Sequence, residues 1–134
     1  MKKICVLLGI TTLLATAALF AQSDMDYQGY MKTVGATNGS LQKNIAAKDG
    51  KAAAADAQKL ESTFKQVEAY WKAKGAADAV TFAQKAGAAF GAAAKSADAG
   101  NFDQALADAK GAGANCGGCH MAHREKTDTG FKIK

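Results

Sequence analysis

Apolar residues recur at alternating spacings of three and four through most of this chain, which is the pattern of amphipathic α-helices. The pattern is interrupted at three glycine-containing sites, Asp49-Gly50, Lys74-Gly75 and Ala99-Gly100-Asn101. Glycine favours the left-handed conformation in which many helices end, and asparagine favours the position before the next helix. The pattern therefore predicts four helices, over residues 24–48, 51–74, 77–99 and 102–126.

Each predicted helix has one face that is expected to point inward. On the first helix this face comprises Tyr27, Met31, Val34, Asn38, Leu41 and Ile45. On the last it comprises Phe102, Leu106, Ala109, Gly113, Cys116, His120 and His123. Helices of this length joined by short turns predict an all-α fold, an antiparallel up-down-up-down four-helix bundle. Residues 127–134 are expected to form a mobile polar tail.

The composition agrees with a single helical domain. The chain has 134 residues and no proline, and 49% of its residues are apolar. Its lysines are scattered along every segment instead of forming a stripe, so the basic charge is expected to solvate helix surfaces. This distribution argues against nucleic acid as a partner.

The N-terminus has the layout of a secretory signal peptide, with Lys2 and Lys3 followed by an apolar run and then Ala21. Residues 1–21 are predicted to be removed, leaving 22–134 as the mature domain; cleavage after Ala17 is the alternative. An uncleaved membrane anchor is a competing interpretation, but the run lies at or below the roughly 17–25 residues that span a bilayer. The expected location is the periplasm, with no stable membrane anchor once the segment is removed.

The only cysteines of the predicted mature domain lie in Cys116-Gly117-Gly118-Cys119-His120, which is the C-x-x-C-H pattern of covalent haem attachment. Two thiols bond to the two vinyl groups of the porphyrin, and the adjacent imidazole is the proximal ligand of the iron. On a helix, side chains three and four positions apart share one face. The motif therefore predicts one haem c, bound by Cys116 and Cys119 and ligated by His120.

Two other functions are known for cysteine and histidine residues at such spacings. A redox-active dithiol would favour a thioredoxin-like βαβ context, and the sequence has no strand-like stretch. A zinc site formed by Cys116, Cys119, His120 and His123 would take all its ligands from one element, whereas structural zinc usually draws ligand pairs from two.

The second axial position of the iron requires a residue from another helix. His123 and Met121 are on the helix of His120 and cannot reach the opposite side of the porphyrin. Of the remaining methionines outside the predicted signal peptide, Met31 lies on the inward face of the first helix, whereas Met25 is out of phase. Met31 is therefore the candidate distal ligand, and ordinary core packing is the alternative role.

With these features the chain resembles the class II cytochromes c, the cytochrome c prime superfamily. The resemblance is strongest in residues 97–126, which contain the motif, and in Met31-Lys32-Thr33-Val34 with Gly39 further along. It implies a four-helix bundle in which Met31 occupies the distal position, as in the methionine-ligated, low-spin branch. It also implies that Arg124 lies beside the haem.

Two positions depart from the family pattern. Tyr27 stands where the family often has an arginine near the haem propionates, and His123 stands where it often has tyrosine or phenylalanine. The departures leave the propionate contacts undefined.

The expected function is one-electron transfer by a six-coordinate haem, with redox proteins as partners and no catalytic residues. The alternative is a five-coordinate cytochrome that binds nitric oxide, with Met31 only packing. A peroxidase-like activity would need a distal acid or base, which the inward face of the first helix lacks. The sequence leaves open whether two chains pair as a homodimer.

Overall fold

The computed structural model describes residues 22–134, so the predicted signal peptide, residues 1–21, lies outside the described part. Four α-helices pack compactly and account for most of these residues, as predicted: α1 (Asp24–Ala46), α2 (Gly50–Lys74), α3 (Ala77–Asp98) and α4 (Phe102–His123). Two short strands follow, β1 (Arg124–Thr127) and β2 (Gly130–Ile133). None of the helices within residues 22–134 has the length and apolarity needed to cross a membrane.

The residues at the helix ends explain where the helices begin and end. Ser23 and Asp26 form a capping box at the start of α1. Gly75 (φ 72°) and Gly100 (φ 75°) adopt the left-handed conformation expected at those breaks. At the first break the left-handed residue is instead Lys48 (φ 57°).

Gly50 has a different role, because it is the first residue of α2 and packs against α3. A Cβ atom at this position would lie 2.7 Å from the carbonyl oxygen of Ala97. Glycine therefore lets the start of α2 approach the end of α3 closely.

The core lies mainly between α2 and its two neighbours. The largest fully buried side chains are Trp71, Tyr70, Phe90, Leu41 and Leu60. The buried face of α3 consists almost entirely of alanine, with Gly87 and Phe90. Such small side chains allow α3 to approach its neighbours closely, because little volume separates the backbones.

Polar contacts join the end of one helix to the start of the next in two places. Asn44 near the end of α1 donates to Asp56 near the start of α2, at 2.8 Å. Ser96 near the end of α3 donates to Asp108 near the start of α4, also at 2.8 Å.

An aromatic cluster joins the start of α1 to the end of α2. The ring of Tyr27 stacks on that of Tyr70 with centroids 4.6 Å apart, and it meets Trp71 edge-on at 5.3 Å. The hydroxyl of Tyr70 donates to Asp24 Oδ1 at 2.7 Å, and Lys74 Nζ lies 2.6 Å from the same oxygen.

The C-terminal end corrects the sequence-based expectation. The last helix ends at His123 and not at residue 126, and the predicted mobile tail forms an antiparallel hairpin in which Arg124 pairs with Ile133. Gly130 has φ 145°, a conformation that glycine adopts easily, and the backbone N–H of Lys134 donates to the carbonyl of His123 at 3.1 Å. Ile133 of β2 packs against the core, whereas Phe131, on the same face of the strand, is 52% exposed.

We expect acid to weaken the junction between α1 and α2. Hydrogen bonds from Lys74 and Tyr70 hold the pKa of Asp24 below its ordinary value of 3.8. The stabilisation by this carboxylate is therefore complete above that value and is lost as the pH falls through the lower native pKa. Asp24→Asn should be less stable at neutral pH and should lose less stability between pH of about 5 and 2, as measured by urea unfolding.

Asp98→Asn is the matched control, because Asp98 is an exposed helix residue whose side chain makes no hydrogen bond or ion pair within residues 22–134. If acid lowers the stability of Asp24→Asn as steeply as that of the unaltered protein, the prediction is contradicted.

Candidate functional site

A cavity of about 600 Å³ is bordered by α1, α4 and the hairpin, with side chains of α2 and α3 at its base. Its volume is in the range of small-molecule and cofactor sites, about 300–1,000 Å³. Apolar side chains form much of its wall, and they come from three helices: Val34, Phe64, Val67, Phe82 and Phe90.

The three residues of the predicted attachment motif all line this cavity. Cys116, Cys119 and His120 lie on α4 at spacings of three and four, so their side chains share a face. Cys119 is buried, the other two are partly buried, and both thiols are free. The last two turns of α4 therefore present two sulfur atoms and one imidazole to a single space.

Burial raises the pKa of both thiols, that of Cys119 to about 11. Both side chains are then protonated at neutral pH. Redox-active dithiols depend on a thiolate and have a lowered pKa, about 3.5–7.5. This difference argues against the dithiol interpretation of the motif.

The two histidines have different surroundings. Burial, with the nearby charge of Arg124, lowers the pKa of His120, which favours the neutral imidazole that binds metals. His123 instead lies 2.8 Å from Asp78 Oδ2, and its ring centroid is 4.8 Å from that of Trp71. Within residues 22–134, no three side chains of histidine, cysteine, aspartate or glutamate converge as a metal site, so the four ligands of the zinc interpretation do not meet.

Met31 lines the same cavity from α1, one turn after Tyr27, and is partly buried against the core. The other two methionines of the described part, Met25 and Met121, are 82% and 81% exposed. The structure thus brings together Met31 and the motif, which lie in the first and last helices.

Arg124, Lys32 and Lys132 are the cationic side chains among the cavity-lining residues, whereas no aspartate or glutamate of residues 22–134 lines the cavity. Arg124 is the first residue of β1, and its guanidinium lies 3.9 Å from the ring centroid of Phe131. The charged part of the wall is therefore positive, and it suits a ligand that has an apolar body and negatively charged groups.

These residues fit a covalently bound haem. The cavity offers two thiols, an imidazole and a thioether as bonding groups, apolar walls for a porphyrin, and cations for its two carboxylates. Three of its lining residues are glycines, Gly35, Gly113 and Gly130, where an added Cβ would meet nothing within 4 Å. The missing side chains leave space for a broad, flat ligand.

The predicted inward face of α4 corresponds to the cavity and not to the most buried part of the helix. Ala109, Gly113, Cys116 and His120 line the cavity. The fully buried residues are Ala105, Ala109, Ala112 and Cys119. Since α4 packs chiefly against α3, its face is divided between that contact and the cavity.

Sequence patterns missed the contribution of the hairpin, whose residues 129–133 line the cavity. The available signal was the alternation of apolar residues and lysine from Phe131 to Lys134. Lys32 also lines the cavity, a position that the helical pattern did not predict.

The two glycines of the motif should respond differently to substitution. A Cβ at Gly118 would lie 2.7 Å from the ring of Phe82, whereas one at Gly117 would meet nothing within 4 Å. We expect Gly118→Ala to cost about 1–3 kcal/mol of unfolding free energy, because Phe82 must move. Gly117→Ala, the matched control in the same turn, should be neutral or stabilising by up to about 1 kcal/mol. Equal losses in urea unfolding of the two variants would contradict this.

No protein-family model, curated protein sequence or solved structure matches this chain. Its function is therefore inferred from the chemistry of the cavity.

Proposed function

We propose that this protein is an exported one-electron carrier of the class II cytochrome c type, with one covalently bound haem c in an up-down-up-down bundle. The observation that carries the proposal is the cavity shared by Met31, Cys116, Cys119 and His120. The hydrogen bonds that join the end of one helix to the start of the next support the up-down topology.

In this proposal Cys116 and Cys119 hold the haem through thioether bonds. Each thiol would contribute its S–H across one vinyl group of the haem, with sulfur on one carbon and hydrogen on the other. His120 is the proximal iron ligand, and its burial supports the neutral imidazole that this role requires.

Met31 is the distal ligand in this proposal. A methionine thioether paired with histidine raises the reduction potential of c-type haems. When bound, the haem supplies a one-electron couple between ferric and ferrous iron. Phe64, Phe82 and Phe90 exclude water from the space around it, which favours the less charged, reduced state.

The remaining expectations follow from this role. The partners are redox proteins in a bacterial periplasm, and Arg124 lies beside the haem. No catalytic residues are proposed, and nucleic acid is not a proposed partner.

Expression with a c-type haem attachment system tests the proposal directly. The purified protein should carry the mass of one haem, and its oxidised form should show the weak far-red band of sulfur-to-iron charge transfer. Met31→Ala should lose this band because the thioether is gone. Met121→Ala is the matched control, since Met121 is adjacent to His120 but 81% exposed, and it should keep the band.

A high-spin, five-coordinate spectrum in the unaltered protein would contradict electron transfer and favour the nitric-oxide-binding alternative. A protein of unaltered mass and no visible absorption would contradict haem attachment itself.

Removal of both thiols should also impair folding. The buried face of α3 is largely alanine, so the cavity depends on its occupant for much of its packing. We expect Cys116→Ala with Cys119→Ala to lose the haem and to melt with low cooperativity, as followed by far-ultraviolet circular dichroism. Native-like cooperative melting of this variant would refute the prediction.

A further inference from the structure

The C-terminal hairpin is anchored to the end of α4. β1 begins at Arg124, directly after the helix, and β2 returns so that the N–H of Lys134 donates to the carbonyl of His123. Ile133 packs against the core. The hairpin thus has a defined position three residues from the motif histidine.

One side of the hairpin forms part of the cavity wall. Four consecutive residues of β2, from Gly130 to Ile133, line the cavity together with Arg124 of β1. Phe131 is 52% exposed, and its ring is covered by the guanidinium of Arg124 at 3.9 Å. This stacking holds Arg124 against β2, at the border between the cavity and solvent.

The hairpin also supplies two of the three cationic side chains that line the cavity, Arg124 and Lys132, the third being Lys32 on α1. Since no carboxylate of the described residues lines this space, these cations have no anionic partner within it. A buried or half-buried anion of a ligand would be stabilised by such groups.

The present partner of Lys132 lies outside the cavity. Lys132 Nζ is 3.3 Å from Glu125 Oε2, its cross-strand neighbour, and the two side chains are 61% and 53% exposed. Ion pairs this exposed contribute little to stability. Lys132 can therefore exchange Glu125 for a carboxylate inside the cavity, or contact both.

We propose that the hairpin completes the cofactor site, with Lys132 and Arg124 binding the carboxylates of the haem. The inference rests on the function proposed above and assigns a role to β2, which lies beyond the residues in which the resemblance to class II cytochromes c is strongest. Lys132 and Arg124 are positioning residues, which orient the haem edge and act on the iron only through their charge.

The test compares two lysines of the same hairpin in the haem-loaded protein. Lys132→Gln should shift the carboxylate bending vibrations of the haem in resonance Raman spectra and lower the reduction potential, because a contacting positive charge is lost. Lys126→Gln is the matched control, since Lys126 is exposed on β1 and does not line the cavity. Because this charge lies outside the cavity lining and in solvent, salt screens it, and both values should stay unchanged.

Glu125→Gln gives a test in the opposite direction. It releases Lys132 from its present partner, so the carboxylate vibrations should again shift and the potential should rise or stay constant. Since all three positions are exposed, circular dichroism should show equal helix content in the variants.

The outcomes separate the two proposals. Suppose that haem is attached in all variants. If Lys132→Gln then leaves the carboxylate vibrations and the reduction potential unchanged, or if Lys126→Gln changes them equally, the role of the hairpin is overturned and the proposed function stays intact. A protein without haem in its unaltered form would overturn both.

Discussion

The space between α1 and α4 is the feature on which the rest of this structure depends. α2 packs against α1 and α3, and α3 packs against α4, whereas α1 and α4 make little contact with each other. A cavity of about 600 Å³ takes the place of that contact. The side chains that line a void lack dispersion partners. The fold therefore gains most stability from an occupant that contacts both α1 and α4. A haem bonded to α4 and ligated by α1 has this property.

The aromatic cluster sets the orientation of α1 toward this space. Tyr27 stacks on Tyr70 and meets Trp71, which fixes the rotation of α1 relative to α2. Met31 follows Tyr27 by one helical turn and so shares its face. The same cluster continues to His123, which therefore acts in packing and in its contact with Asp78. Packing within the aromatic cluster thus determines which side chain of α1 faces the motif.

Small residues complement these large ones. Gly118 inside the motif makes room for the ring of Phe82, and Gly87 makes room for Phe64, whose Cβ would lie 3.3 Å from an added Cβ. Both phenylalanines line the cavity. Close approach of α3 to its neighbours therefore places these aromatic rings in the wall of the cavity.

The sequence by itself determined the four helices and the common face of Cys116, Cys119 and His120, because helix formation and side-chain spacing depend on residues close together in the chain. It also singled out Met31 as the candidate distal ligand, because Met31 is in phase with the inward face of the first helix. Only the tertiary structure decided that Met31, Lys32 and the motif border one cavity, since such distances depend on how separate helices pack. The hairpin was likewise decided only by the tertiary structure. β1 and β2 have four residues each, which is too few to show a distinct hydrophobic period. They are stabilised together by pairing with each other and by contact with the cavity.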